Sequence, residues 1–178
     1  MRTDEFWQLI DEARAGAGGE ADAVAARVVA LLAERDPADI AGYAEHQRRV
    51  LVASYQVDLW GAAYLINGGA SDDGFEHFRG WLMTQGRAVF ARAVGDPDSL
   101  AELPRVRAAA LSGEEFECPD MLTVAWAAYR KATATELPAE RDAVVQPDLN
   151  DFWDFDDEEE ARRRLPKLAA LFVEPPQE

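Results

Sequence analysis

The chain is poor in the residues that usually announce a reaction. A single cysteine, Cys118, excludes a disulfide framework and a thiolate metal cluster. The two histidines, His46 and His77, stand in neither HxxxH nor HExxH spacing, so a zinc site of the usual kind is not expected. GxSxG, P-loop and GxGxxG patterns are absent, and with them the familiar nucleophile and phosphate cradles; no metal and no cofactor are expected. Long apolar runs are missing too. The best stretch, residues 53–66, falls short of the roughly 20 residues of a membrane span and contains Asp58. The opening "MRTDEFW" has no signal-peptide core. A cytoplasmic protein is the expectation.

Positive charge is scarce. Lys and Arg number 18 against 34 Asp and Glu, a formal charge of −16 with a sequence pI near 4.4. Such a field repels phosphate backbones and anionic lipid, which argues against nucleic-acid and membrane partners and leaves basic proteins, basic peptides or small molecules. The imbalance is uneven: residues 1–94 carry 14 acids and 9 bases, residues 95–178 carry 20 and 9.

What is present reads as helix. The 178 residues are 48% hydrophobic with five Trp and eight Phe, enough for one cored domain spanning 1–178. Phe6, Ile10 and Ala13 share a face after Thr3 or Asp4 as cap, and Val24, Val28, Leu31 and Leu32 repeat at helical spacing. Asp36-Pro37 starts a third helix, followed by Ile40, Ala44, Gln47 and Leu51 on one side. "CPDMLTVAWAAYRKAT" stacks Leu122, Trp126 and Tyr129, with Cys118 at an N-cap where a thiolate would be stabilised. Pro166 should kink or split the last helix, about 157–172. Residues 137–156 lack periodicity and read as a long wrapping loop, 173–178 as a tail, and "SGEEFE" as irregular. No alternating β run is convincing. The expected fold is all-α: a single compact multi-helix domain in which a central buried helix, about 50–66, packs on a helix over 73–93.

The stretch "DLWGAAYLINGGASDDGFEHFRGWLMTQGR" (58–87) holds the densest set of polar groups among apolar ones. Asp58 shares a helix side with Leu51 and Leu65, where a carboxylate is costly to bury without a cation; Arg79 and Arg87 on the next helix are its expected partners. "NGG" ends one helix, and Ser71, Asp72 or the Asp73/Glu76 pair starts the next. The candidate pocket comprises Asp58, Asn67, Ser71, Asp72, Asp73, Glu76, His77, Arg79, Gln85 and Arg87. The competing reading of the same residues is caps, a turn and a structural ion pair. A second candidate is the acidic, aromatic segment "DLNDFWDFDDEEE", with Phe152, Trp153, Asp154, Asp156 and Asp157 as a surface for a basic partner; its alternative has the aromatics packed inward and the acids serving the next helix.

Three blocks, "DEFWQLIDEAR", the long run from Asp58 to "AVGDPDSLA" and "WDFDDEEEARRRLPKLAALF", resemble the bacterial family called domain of unknown function 4240 over most of residues 4–172. The resemblance implies a small bacterial protein or module and supplies no catalytic residue. Two functions fit. One is a non-catalytic binding or regulatory module using the 58–87 cleft or the acidic C-terminal surface. The other is a small-molecule enzyme or sensor, with Asp58 or Asp72 as general base near His77 and Arg79 or Arg87 holding an anionic group. Nothing in the sequence sets the oligomeric state.

Overall fold

The computed structural model describes residues 1–138 and 147–173. Among these, every regular element is helical: α1 Thr3–Ala15, α2 Ala21–Leu32, α3 Pro37–Ala53, α4 Val57–Asn67, α5 Asp72–Thr84, α6 Arg87–Gly95, a 3-10 turn Pro97–Glu102, α7 Pro104–Ser112, α8 Pro119–Leu122, α9 Val124–Thr133, α10 Glu158–Arg164 and α11 Pro166–Phe172. The all-α expectation holds. Most of residues 137–156 have no regular structure where they are described, but 139–146 lie outside the described residues, as does all of the tail beyond Val173.

The helices begin and end where local chemistry dictates. Asp36 precedes Pro37, whose fixed φ suits the first position of α3. Ser71 Oγ accepts from Gly74 N at 3.1 Å and caps α5. Gly68, at φ 67°, closes α4 in the left-handed conformation that glycine adopts freely. α1 starts earlier than Thr3 or Asp4 capping would allow, because Glu5 accepts from both the backbone N and the guanidinium of Arg2 across its first turn. Pro166 splits the last helix cleanly into α10 and α11.

Three continuous helices of the sequence reading are divided. Residues 50–66 break at Ser54–Gln56. Arg79, buried on α5, sends NH1 to Leu51 O at 2.7 Å, and Ser54 Oγ reaches the same carbonyl at 3.1 Å. A cation and a hydroxyl at the end of α3 together satisfy a carbonyl that a continuing helix would have used. The 73–93 helix likewise breaks at Gln85–Gly86; Gly86 has φ 86°, and a side chain there would collide with Asp11. Thr123 separates α8 from α9, which rotates Trp126 outward to 44% exposure and buries Val124, Ala125 and Ala128 instead.

One hydrophobic core ties the elements together, from Phe6, Ile10 and Tyr43 through Leu59, Phe75, Trp81 and Met83 to Trp153, Leu165 and Leu168. Trp60 stacks on Phe75 at 5.0 Å between centroids and meets Phe152 edge-on at 5.8 Å. The C-terminal segment is therefore part of the core. Fully burying an aromatic or leucine side chain stabilises by about 1.5–3 kcal/mol, and Trp153, Leu165 and Leu168 all do so.

Candidate functional site

The ten residues grouped from the 58–87 block serve several different neighbourhoods. Asp58 does not meet Arg79 or Arg87. Its Oδ1 accepts from Trp153 Nε1 at 3.1 Å and from Arg164 NH1 at 3.1 Å, so it joins α4 to the C-terminal segment. Its side chain is 43% exposed, well short of the buried position expected from its helix face. Arg87 pairs with Asp4 at 2.7 Å on the surface. Among the described residues no carboxylate forms an ion pair with Arg79; its guanidinium lies over the rings of Tyr55 and Phe75, 5.1 and 4.7 Å from their centroids, and burial presses its pKa below the ordinary arginine value. Its cation is thus held by π faces and a carbonyl.

Gln85 bonds Thr84 Oγ1 at 3.0 Å and Trp81 O at 3.4 Å across the turn that ends α5. Asp72 and Asp73 occupy the exposed first turn of α5, where the helix dipole favours them, and Glu76 is exposed one turn on. The C-terminal candidates divide as well. Trp153 faces the core, Asp154 accepts from Asp156 N, Asp156 accepts from Tyr64 Oη at 2.6 Å, and Asp157 caps α10 through Glu159 N and Glu160 N. Of the set, Phe152 keeps an open apolar surface, at 56% exposure.

Asn67 and His77 lead to a different place. Asn67 donates from Nδ2 to Phe116 O at 3.2 Å, and its Oδ1 accepts from Phe116 N at 2.9 Å. One side-chain amide thereby satisfies both backbone groups of a residue in an otherwise irregular segment. Two residues on, Cys118 N donates to His77 O at 3.0 Å, and Gly80 lets the Cys118 carbonyl press against α5 where any side chain would collide. His77 Nδ1 stands 3.6 Å from Glu117. Segment 114–118 is pinned to α4 at its middle, Phe116, and to α5 at its end, Cys118.

Between that segment, the start of α2 and α7 lies a cleft of about 130 Å³. Glu20, Asp22, Glu114, Glu115 and Glu117 line it with Arg105, and Trp81 and Phe116 supply its aromatic wall. These two rings stack at 4.5 Å with an interplanar angle of 23°. Five acidic residues line the cleft with one arginine, and that guanidinium is already engaged. Arg105 bonds Glu114 through Nε at 3.0 Å and NH2 at 2.7 Å, reaches Gly19 O at 3.2 Å, and stands 3.4 Å from Glu20. The Glu114 carboxylate holds Arg105 above the ordinary arginine value.

Cys118 closes the back of this region, with Sγ 3.7 Å from Asp22 Oδ1. The N-cap position does not activate it. Burial pushes the thiol up to about 11, and nearby Asp22 and Asp120 act in the same direction. Among the described residues no group of three or more His, Cys, Asp or Glu is placed to hold a metal ion. Asp58 turns to Trp153 and His77 to Glu117, so these two are not paired.

Sequence reading passed over this cleft, apart from Trp81 within the 58–87 block. The signal available was "GEEFE": three acids around one phenylalanine, without helical spacing, between two helices. Such a segment has an aromatic to bury and charges to leave outside.

No helix among the described residues is long and apolar enough to cross a membrane. No curated protein and no solved structure matches the chain. The C-terminal block "WDFDDEEEARRRLPKLAALF" falls outside the span that a family model matches, which is residues 1–131 and contains α1 to α8, nearly all of α9 and every residue of the acidic cleft. The model is that described as Protein of unknown function (DUF4240), and the chain belongs to this family.

Proposed function

We propose that this protein is a non-catalytic binding module whose acidic cleft receives a cationic group of a basic protein or peptide. The observation that carries the reading is the cleft's charge: Glu20, Asp22, Glu114, Glu115 and Glu117 surround a single arginine that two of them already neutralise. Two of the remaining three, Glu115 and Glu117, sit on fixed backbone, since Asn67, His77 and Gly80 pin the segment that bears them. Like charges gathered in this way raise the local potential and attract a complementary cation, and the overall charge of −16 assists the encounter.

An acidic C-terminal surface is the weaker location for such a partner. Asp154, Asp156 and Asp157 are each engaged in turns, caps or the Tyr64 bond, and Trp153 is in the core. Isothermal titration calorimetry with an arginine-rich peptide tests the reading. Binding should weaken as salt rises and fall at least about tenfold in Glu115→Lys/Glu117→Lys. Full affinity in that variant would remove the cleft from the interaction.

A further inference from the structure

We infer that residues 55–64 and the segment before α10 form a second docking face, apart from the acidic cleft, for a basic partner. Its rings, Tyr55, Trp60, Tyr64 and Phe152, take an apolar side chain that the partner flanks with arginines. Phe152 is more than half exposed and the other three are half-buried. The four are joined rather than scattered. Trp60 lies 6.1 Å from Tyr55 and 5.8 Å from Phe152 between centroids, and Phe155 links Phe152 to Tyr64 at 4.9 and 5.5 Å. Single exposed aromatics are common on a protein surface, whereas a contiguous group of Trp, Tyr and Phe has the composition of a binding hot spot. The face is also held from beneath. Phase-like stacking of Phe75 on Trp60, 10° from parallel, and the bond from Trp60 Nε1 to Ala70 O at 2.9 Å fix the central ring.

The acids around the rings set the sign of the partner. Asp156 accepts from Tyr64 Oη, and Asp154 and Asp157 stand beside it; the donors are a hydroxyl and backbone amides, which leave the carboxylates charged. On the other side Asp72 opens α5 one turn before Phe75, close enough to Arg79 to favour its cation. These carboxylates steer, and the rings supply the contact area. A second copy of the chain, with its charge of −16, and any phosphate-bearing surface are repelled, while a basic segment is drawn in. Tyr55 already carries the Arg79 guanidinium over its ring, so this aromatic group accepts arginine as well as apolar carbon.

The test uses the whole 15N-labelled chain and two capped peptides of equal charge, RRLLRR and RRSSRR. The expected result by calorimetry is an affinity for RRLLRR at least about tenfold above that for RRSSRR, lost in Phe152→Ser. In the unaltered protein RRLLRR should shift the Trp60 indole and Phe152 amide resonances, a readout that needs no variant. Glu115→Lys/Glu117→Lys, which removes charge from the cleft, should keep the preference, because the face shares no residue with the cleft. Equal affinity for the two peptides, or shifts confined to the cleft, overturns the docking face and leaves the cleft reading standing. A preference that disappears in Glu115→Lys/Glu117→Lys and survives Phe152→Ser overturns it as well.

Discussion

Gly61 lies beneath the indole of Trp153, whose Cζ2 occupies the space any side chain at that position would fill. The contact joins α4 to the segment leading into α10. It decides the sign of a simple substitution. In an exposed helix interior Gly→Ala stabilises by about 1 kcal/mol, because alanine has the better helix propensity. Here the added methyl must displace a ring that is itself packed against Phe155 and bonded to Asp58. Overpacking of this kind costs about 1–3 kcal/mol, so against the propensity gain Gly61→Ala should lower unfolding stability in urea by a net value of up to about 2 kcal/mol. A gain in stability would mean that Trp153 leaves this position freely.

Asp98 shows how the other end of the segment is held. This buried aspartate, on the 3-10 turn, accepts from Lys167 N with both carboxylate oxygens at 3.0 Å and from Leu168 N at 2.9 Å. It caps α11 from across the fold, where Leu165 at the N-cap position has no side-chain oxygen to offer. Asp98→Ala should cost about 2 kcal/mol or more by leaving two donors unsatisfied, and Asp98→Asn, which retains an acceptor, less than half of that. Amide exchange at Lys167 and Leu168 should accelerate in both variants. Unchanged protection there in Asp98→Ala would refute the cap.

Helical spacing located much of the core, because burial on a helix face repeats in sequence: Phe6, Ile10, Ala13, Val24, Val28 and Ile40 are all buried. Caps were legible for the same local reason at Asp36, Ser71 and Gly68. The helix breaks at Ser54–Gln56 and Gln85–Gly86 were not: the first accompanies Arg79 reaching Leu51 O from 28 residues away, and the second lies in the positive φ of Gly86. Asp58 stood out in the sequence, but its partners stand 95 and 106 residues away, beyond any helical repeat. The acidic cleft was hidden for a related reason. Its walls come from α2, α5, α7 and an irregular segment, and no spacing rule links Glu20 to Glu117.

Cys118 supplies a pH dependence with a fixed sign. Its thiol titrates near the ordinary 9.0 in the unfolded chain and at about 11 in the folded one. Between these values the folded state holds a proton that the unfolded state has released. The contribution to stability is therefore fully present below pH 9 and is lost as pH rises through about 11, at roughly 1.4 kcal/mol per unit at most. Buried Tyr43 is raised as well and adds the same sign at still higher pH. Cys118→Ala should flatten the stability profile between pH 9 and 11, whatever its effect on the baseline. Native Cys118 should also resist a thiol reagent at pH 8 until denaturant is added, and rapid labelling of the folded protein would refute its burial.

Asn67 offers the most direct test of how the fold serves the cleft. It is not among the cleft's lining residues, yet its amide clamps both backbone groups of Phe116, whose ring forms the wall and whose neighbours Glu115 and Glu117 carry the charge. Asn67→Ala removes both bonds, at a cost of about 1–2 kcal/mol. Asn67→Asp keeps the acceptor for Phe116 N but sets a carboxylate against Phe116 O beside three glutamates, so it should be no better than alanine. In each variant the Phe116 amide should exchange faster. Affinity for an arginine-rich peptide should fall severalfold with its salt dependence kept, because the charges remain and only their placement loosens. That combination separates a positioning residue from a contact residue, whose loss would change the salt dependence. Faster exchange at Phe116 with undiminished affinity would show that the wall of the cleft does not need to be held.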